Sequence, residues 1–402
     1  MQPGHAGIVG SGFGGLVAAI ALAQRGWTVR VHERRDSLRG EGYGIAIHNN
    51  MARIFADFGI LDRVLAGGMR IDRRDSVNAR GQVVMSRKTT RSPYRIDRQH
   101  IIALLAERAA AAGAEIRFNS QVEAAAPEGS ITLADGQKLA ADLVVVADGI
   151  NSTTRDALGL VKRRRWGRDC GVRINIPRRP EEIAADRRQG TVMIEAWADK
   201  RRVLYCPVTE GEFYVLLTCT LRDKLAATSP IDPDVWARSF PAMRGLFVRM
   251  RDEADWPQSH WAHFQTMQLK RWSAGRIAVL GDAAHAMPPY LAQGAGHAMM
   301  NALGLAEALR QASTLEMGLD EWERRERPLT EHTQLWTRIY GATMFLPKPL
   351  KNISILVEKI PWVAAQYVRA ASYVPTGCTP GAIELLPSSR AGANGSAGSA
   401  AR

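Results

Sequence analysis

The stretch that most constrains the fold is Gly10-Ser11-Gly12-Phe13-Gly14-Gly15. It follows an apolar run, Ala6 to Val9, and precedes an alanine-rich segment from about Leu16 to Gln24 that Gly26 ends. A second strand, Trp27 to Glu33, then finishes on an acid, so the spacing predicts a β-α-β unit. Each glycine has a mechanical reason: Gly10 permits a tight turn, Gly12 lets backbone approach a pyrophosphate, and Gly15 lets the helix pack closely on the strand. The helix N-terminus offers free N–H groups and a partial positive charge to an anion. Glu33 stands where the hydroxyls of an adenosine ribose are held. These features point to a bound dinucleotide.

Whether that dinucleotide is NAD or FAD is decided further along. Asp142-Leu-Val-Val-Val-Ala-Asp148-Gly149 is an apolar strand delivering an Asp-Gly turn, and Gly275-Arg-Ile-Ala-Val-Leu-Gly281-Asp282 is another delivering Gly-Asp at a helix start. A carboxylate at such a strand end can accept bonds from the polyol linking pyrophosphate to flavin, a group NAD lacks. After it comes Ala-Ala-His285-Ala-Met-Pro288-Pro289-Tyr290-Leu-Ala-Gln293-Gly294-Ala295-Gly296.

These three motifs in this order resemble the flavoprotein aromatic hydroxylases typified by p-hydroxybenzoate hydroxylase, over nearly the whole chain to about residue 375. The resemblance implies FAD as cofactor, with NADH or NADPH as transient co-substrate, since no second glycine motif is present. It implies that Asp148 touches both flavin and nicotinamide, and that Asp282 binds the ribityl chain. Arg98, in Asp-Arg-Gln-His-Ile-Ile, and Arg39, before Gly42-Tyr-Gly44-Ile, match cofactor-side arginines; Arg34 and Val122 belong to the same implied cofactor set. Pro289 matches a proline whose carbonyl lies beside the flavin ring, with Pro288 on the substrate side, and Gly294-Ala295-Gly296 match the helix start facing the flavin pyrimidine. A reduced flavin is an anion, so a helix N-terminus aimed at it stabilises the state that reacts with oxygen. His285 reads as a packing residue at the strand-helix junction.

Departures narrow the branch. Gly-Gln-Gly of the family stands here as Ala292-Gln293-Gly294, and Glu-Asp-Ala as Met300-Asn301-Ala302. That combination is similar to the branch containing 2-methyl-3-hydroxypyridine-5-carboxylate oxygenase. The resemblance extends to Arg202-Val-Leu-Tyr205-Cys-Pro207 followed by Glu212-Phe-Tyr214, which implies Arg202 and Tyr214 as substrate contacts. A guanidinium can grip an anion bidentately and a phenol can order an oxygen or a water. A salt-bridged arginine and a half-buried core tyrosine would look the same in sequence. A pocket tyrosine of that branch falls near Arg73-Arg74, which makes Arg74 a substrate-side residue and a different substrate the expectation.

From about Gly171 to Leu221 the pattern turns to strands: Val172-Ile176, Thr191-Ala198, Val203-Pro207 and Phe213-Leu221. Asn49 or Asn50 and Asp97 are expected helix caps, Glu115 to Val122 a strand, and Asp135-Gly136 a hairpin turn. Beyond His285 the chain reads as helical to about Tyr373, with breaks at Pro328, Pro347, Pro349 and Pro361. The expected fold class is α/β: a Rossmann-type FAD-binding domain with an inserted, mainly antiparallel substrate sheet and a helical C-terminus. The expected division is FAD-binding parts at 1–70, 97–160 and 271–345, substrate-domain strands at 71–96 and 161–270, C-terminal helices at 346–386 and a disordered tail at 387–402.

Composition excludes other classes. Cys170, Cys206, Cys219 and Cys378 show neither zinc spacing nor a disulfide framework. No charged-then-apolar leader opens the chain, and Ile353 to Val374 is interrupted by Glu358, Lys359 and Arg369, so a cytoplasmic protein without a membrane anchor is expected. A net charge of +13 comes mainly from scattered arginines with no nucleic-acid reader motif, and fits an anionic substrate and a phosphorylated cofactor better. The expected activity is hydroxylation of a small electron-rich aromatic or N-heteroaromatic substrate by O₂ through a flavin hydroperoxide, in a monomer or homodimer. A flavin dehydrogenase on the same fold is the alternative. A flavin halogenase is disfavoured by the lack of a W-x-W-x-I-P segment.

Overall fold

Strand His5–Val9 lies between Leu143–Val146 and Thr28–His32 in a six-stranded sheet, flanked further by Ile277–Val279 and Ser273–Ala274 on one side and Glu115–Arg117 on the other. All pairings are parallel except the terminal hairpin of Ser273–Ala274 with Ile277–Val279. Helices cover both faces of such a sheet, so its strands read as unbroken apolar runs; all four residues of Leu143–Val146 are buried. The computed structural model describes residues 1–38, 44–89, 94–346, 357, 360–381, 383 and 385.

The parallel register has a chemical consequence. Val9 pairs with Val146 and Val146 with Val279, so three turns far apart in sequence emerge together at the carboxyl edge of the sheet. These are the turns beginning at Gly10, Ala147 and Leu280, and such an edge is where open α/β sheets bind ligands. Helix Gly294–Gln311 packs along Phe13–Ala23, bringing its own N-terminus to the same edge.

The second sheet has seven strands in the order Ala262–Leu269, Val161–Pro177, Glu212–Thr220, Arg201–Pro207, Val192–Ala198, Arg73–Val77, Val83–Lys88. It is antiparallel throughout apart from the pairing of Val192–Ala198 with Arg73–Val77. Period-two alternation sorts its side chains. Phe213, Val215 and Leu217 pack with Val203 into a core with Trp236, Phe240 and Phe247, whereas Tyr214, Leu216, Arg202 and Leu204 face a cavity.

Several local expectations change. Glu115 to Val122 is two elements: Glu115–Arg117 joins the parallel sheet, and Val122–Ala126 pairs with Ser130–Leu133. That last strand makes the expected hairpin with Lys138–Ala140 across Asp135-Gly136. Tyr94–Ile96 pairs with Ile45–Ile47 and Gly68–Arg70 in a separate three-stranded sheet rather than with the substrate strands. Helix Asn49–Asp57 follows His48, whose side chain makes no capping bond, while Asn50 is turned inward and donates to the Gln293 side chain at 3.0 Å. Asp97 does cap its helix, accepting from the His100 N–H. Pro328 does not break the chain but sits inside helix Leu315–Ala342, whose buried face of Trp322, Thr330, Thr333, Thr337 and Gly341 outweighs one lost backbone bond. Pro347, Pro349 and the tail at 387–402 lie outside the described residues. Among the described residues no helix is long and apolar enough to cross a membrane.

Candidate active site

The glycine turn is built as its residues dictate. Gly10 has φ +99, and a side chain there would meet the Ala147 carbonyl oxygen at 2.6 Å. A Cβ on Gly15 would fall onto the carbonyl oxygen of Gly10. At Gly12, by contrast, a Cβ would meet no atom within 4 Å, because that position opens onto a cavity. Glu33 closes the turn from the neighbouring strand, accepting from the Ser11 N–H at 3.1 Å and the Ser11 hydroxyl at 2.6 Å. Arg34 beside it is exposed, and Arg39 lies outside the described residues.

The cavity holds about 1970 Å³, roughly twice the upper end of the usual 300–1,000 Å³ for a single ligand. Gly12, Phe13 and Gly14 line it from one helix start, and Gly294, Ala295 and Ala298 from another. No side chain caps either helix, so both first turns keep N–H groups for an anion. Asp282 opens an accessible carboxylate to the cavity, and desolvation by the surrounding walls pushes its pKa up against the pull of Arg98 and Arg173. The Arg98 guanidinium lies over the Phe13 ring, 5.0 Å from its centre. An open glycine turn, two uncapped helix starts and a cavity-facing carboxylate fit a flavin dinucleotide.

Other expected cofactor residues stand behind this surface. Ala147, Gly149 and Ile150 line the cavity, but Asp148 between them does not; burial raises its pKa, with Ser152 opposing. Val122 packs against the core, and Gly296 backs onto Asn50 rather than the cavity. Pro289 lines the cavity, with its carbonyl accepting from the Ala292 N–H at 3.1 Å. Ala292 takes φ +52, a left-handed conformation that favours glycine. Pro288 stands outside the lining, and Thr337 donates to its carbonyl at 3.0 Å.

On the opposite wall Arg202 is 3% exposed and already paired. Its guanidinium bonds Glu195 at 2.6 Å and lies 5.0 Å from the Trp197 ring centre and 5.7 Å from that of Tyr290. The other oxygen of Glu195 accepts from Arg74, which also reaches the Tyr340 hydroxyl at 3.4 Å. Burial pushes Glu195 up, yet the two guanidinium groups outweigh it and hold its pKa down to about 2. The cluster therefore carries one net positive charge rather than two. Tyr214 lines the cavity beside it, its pKa raised by burial, and its hydroxyl makes no hydrogen bond among the described residues.

Sequence reasoning missed Glu195, His48 and the pair Tyr290–Asp169. Met193, Glu195 and Trp197 all face the cavity at strand period, so a lone acid within the apolar Val192–Ala198 was the available signal. His48 lines the cavity, and burial lowers its pKa to about 3. The Tyr290 hydroxyl donates to Asp169, whose pKa burial raises to about 6. His285 keeps a structural place outside the lining: its ring meets Asn301 at 2.9 Å, and Asn301 bonds Thr330 in turn. Among the described residues no cluster of His, Cys, Asp or Glu could hold a metal ion.

Residues 5–334 match the FAD binding domain family, and the chain belongs to that family. It is an FAD-dependent monooxygenase of the aromatic hydroxylase type. A Rhodococcus erythropolis protein provisionally named 2-heptyl-3-hydroxy-4(1H)-quinolone synthase is 37% identical over 384 residues, spanning 94% of this chain and 98% of the relative. The 2-heptyl-3-hydroxy-4(1H)-quinolone synthase of Mycobacteroides abscessus is 37% identical over 348 residues, 83% of this chain and 89% of its own. Among solved structures, the tetrameric form of 2-methyl-3-hydroxypyridine-5-carboxylic acid oxygenase is 34% identical with a TM-score of 0.82, covering 94% of this chain and 99% of that one.

Proposed function

We propose that this chain hydroxylates the ring of a 4(1H)-quinolone-type N-heteroaromatic, consuming NADH or NADPH and O₂. In balance, a ring C–H, O₂, NAD(P)H and a proton give a ring C–OH, water and NAD(P)⁺. One oxygen atom enters the ring and the other leaves as water, with the two electrons coming from the nicotinamide hydride. FAD, when bound, carries those electrons to oxygen and delivers the atom.

The observation that carries the reading is that one cavity unites the glycine turn, the Gly294–Gln311 helix start and the Arg74–Glu195–Arg202 cluster. Asp282, Arg98, Gly294 and Ala295 are assigned to the flavin side, with Asp148 behind it and Glu33 and Arg34 at the adenosine end. The helix start stabilises negative charge on the reduced ring system. Pro289 forms the wall between flavin and substrate.

On the substrate side, Glu195 neutralises one of two arginines, which makes Arg202 an oriented donor rather than a bare cation. Such a donor suits a neutral ring carbonyl, which accepts its hydrogen bond and is held in place while electron density passes from the ring to the incoming oxygen atom. A carboxylate-bearing ring would call for the full charge. Tyr214 supplies a second donor, and the apolar wall of Met193, Leu204 and Leu216 excludes water.

A substrate panel tests this. 4(1H)-Quinolones, hydroxypyridine carboxylates and hydroxybenzoates are compared for stimulation of NAD(P)H oxidation by the FAD-loaded protein. Quinolones are expected to stimulate most strongly, and stimulation by the carboxylates alone would overturn the assignment.

A further inference from the structure

The cavity extends beyond the flavin-side turn, and the extension has a direction. From the flavin-side turn, aromatic rings lead outward: Tyr290 to Tyr340 at 6.4 Å, then Tyr340 to Tyr367 at 5.3 Å. Tyr367 belongs to helix Pro361–Val368, where Ala364, Tyr367 and Val368 share one face by their spacing of three and four residues. All three line the cavity and are half-buried. Arg74 touches Tyr340, so the hairpin of Arg73–Val77 with Val83–Lys88 comes against the same arm, contributing Met85 to its lining. The exposed Arg87 and Lys88 stand at the rim.

We infer that this outer arm is a binding subsite for an unbranched alkyl chain carried by the ring substrate, and that it sets chain-length specificity. The inference rests on the quinolone reading of the ring site. Its physical basis is separate: an arm walled by Met85, Tyr340, Ala364, Tyr367 and Val368 gains by covering apolar surface, and Arg74 at its inner end is already paired with Glu195. The ring stays at Arg202 and Tyr214 while the chain runs along the tyrosine row towards the C-terminal helix. That helix then acts on selectivity without touching the reacting carbon.

The test compares 2-methyl-, 2-pentyl-, 2-heptyl- and 2-nonyl-4(1H)-quinolone with the FAD-loaded full chain. Each added methylene buried in the arm is expected to raise kcat/KM by roughly two- to fourfold until the arm is full. Ala364→Phe fills the arm and is expected to lower the heptyl-to-methyl ratio of kcat/KM by about tenfold, the effect of excluding roughly two methylenes. Val368→Ala, a milder change, is expected to move the optimum to a longer chain, with flavin content and melting temperature confirming that both variants fold. A flat chain-length series, or an unchanged ratio in well-folded Ala364→Phe, overturns the subsite and leaves the ring assignment standing. If no quinolone, the 2-methyl compound included, stimulates NAD(P)H oxidation or perturbs the flavin spectrum, both readings fall.

Discussion

Replacing Glu195 with glutamine keeps the side-chain volume and removes the charge that holds two arginines together. Glu195 has a side chain 1% exposed and its partner Arg202 4%, so the pair is desolvated, while Arg74 at 40% faces the cavity. Removing one member of a buried ion pair costs roughly 3–5 kcal/mol, and the glutamine carbonyl and the cavity-facing Arg74 bring the expectation to about 3 kcal/mol. The titration gives a similar figure: holding a glutamate pKa down to about 2 corresponds to a contribution on the order of 3 kcal/mol. Because the folded-state pKa is depressed, that stability is present at neutral pH and lost as pH falls from the ordinary glutamate range towards 2. Glu195→Gln should therefore melt several degrees lower at pH 7. It should also leave Arg202 a full cation, so a carboxylated arene should inhibit roughly tenfold more tightly while a neutral quinolone binds more weakly. Differential scanning calorimetry with flavin content, followed by inhibition constants for the two ligand types, reads both effects. A variant with unchanged melting and unchanged ligand preference would refute the reasoning.

Three further outcomes follow from the geometry. Asp282→Ala should weaken FAD binding by roughly ten- to a hundredfold, the loss of charge-assisted bonds to the polyol, measured by fluorescence titration of the apoprotein. Gly12→Ala should fold normally yet bind FAD poorly, since its Cβ meets only open cavity, whereas Gly15→Ala should lose folded protein because its Cβ falls on backbone. His285 and His297 are kept neutral by burial, down to about 4 and about 3, so the native state refuses protons that the unfolded chain accepts below about 6.5. Their stability is complete above that pH and is lost as pH falls, by about 1.4 kcal/mol each at one unit below. Melting temperature should drop between pH 7 and 5.5, and less steeply in His297→Gln.

The cofactor side was legible in sequence because backbone demands specific residues there: a left-handed turn at Gly10, a close approach at Gly15 and apolar strands that feed one sheet edge. The second sheet was legible for its alternation, although both of its faces are apolar. The substrate cluster was less so. Arg202 and Tyr214 were identified by resemblance, but the partner of Arg202 lies on the adjacent strand and that partner's second arginine is 121 residues away. Such pairing is set by strand order, which no local pattern encodes. Pro328 misled because burial of one face of Leu315–Ala342 offsets a local penalty, and Asn50 because its side chain is used to tie two helices together instead of capping one.

The central claim is that oxygen from O₂ is placed on a quinolone-type ring held against the Arg202 wall. Single-turnover reaction of the FAD-loaded protein with NAD(P)H, a 2-alkyl-4(1H)-quinolone and ¹⁸O₂ tests it directly by mass spectrometry of the product. The account predicts one ¹⁸O atom on the ring and one equivalent of NAD(P)H consumed per product. Product without label, or NAD(P)H oxidation that yields only hydrogen peroxide and unchanged quinolone, would contradict it.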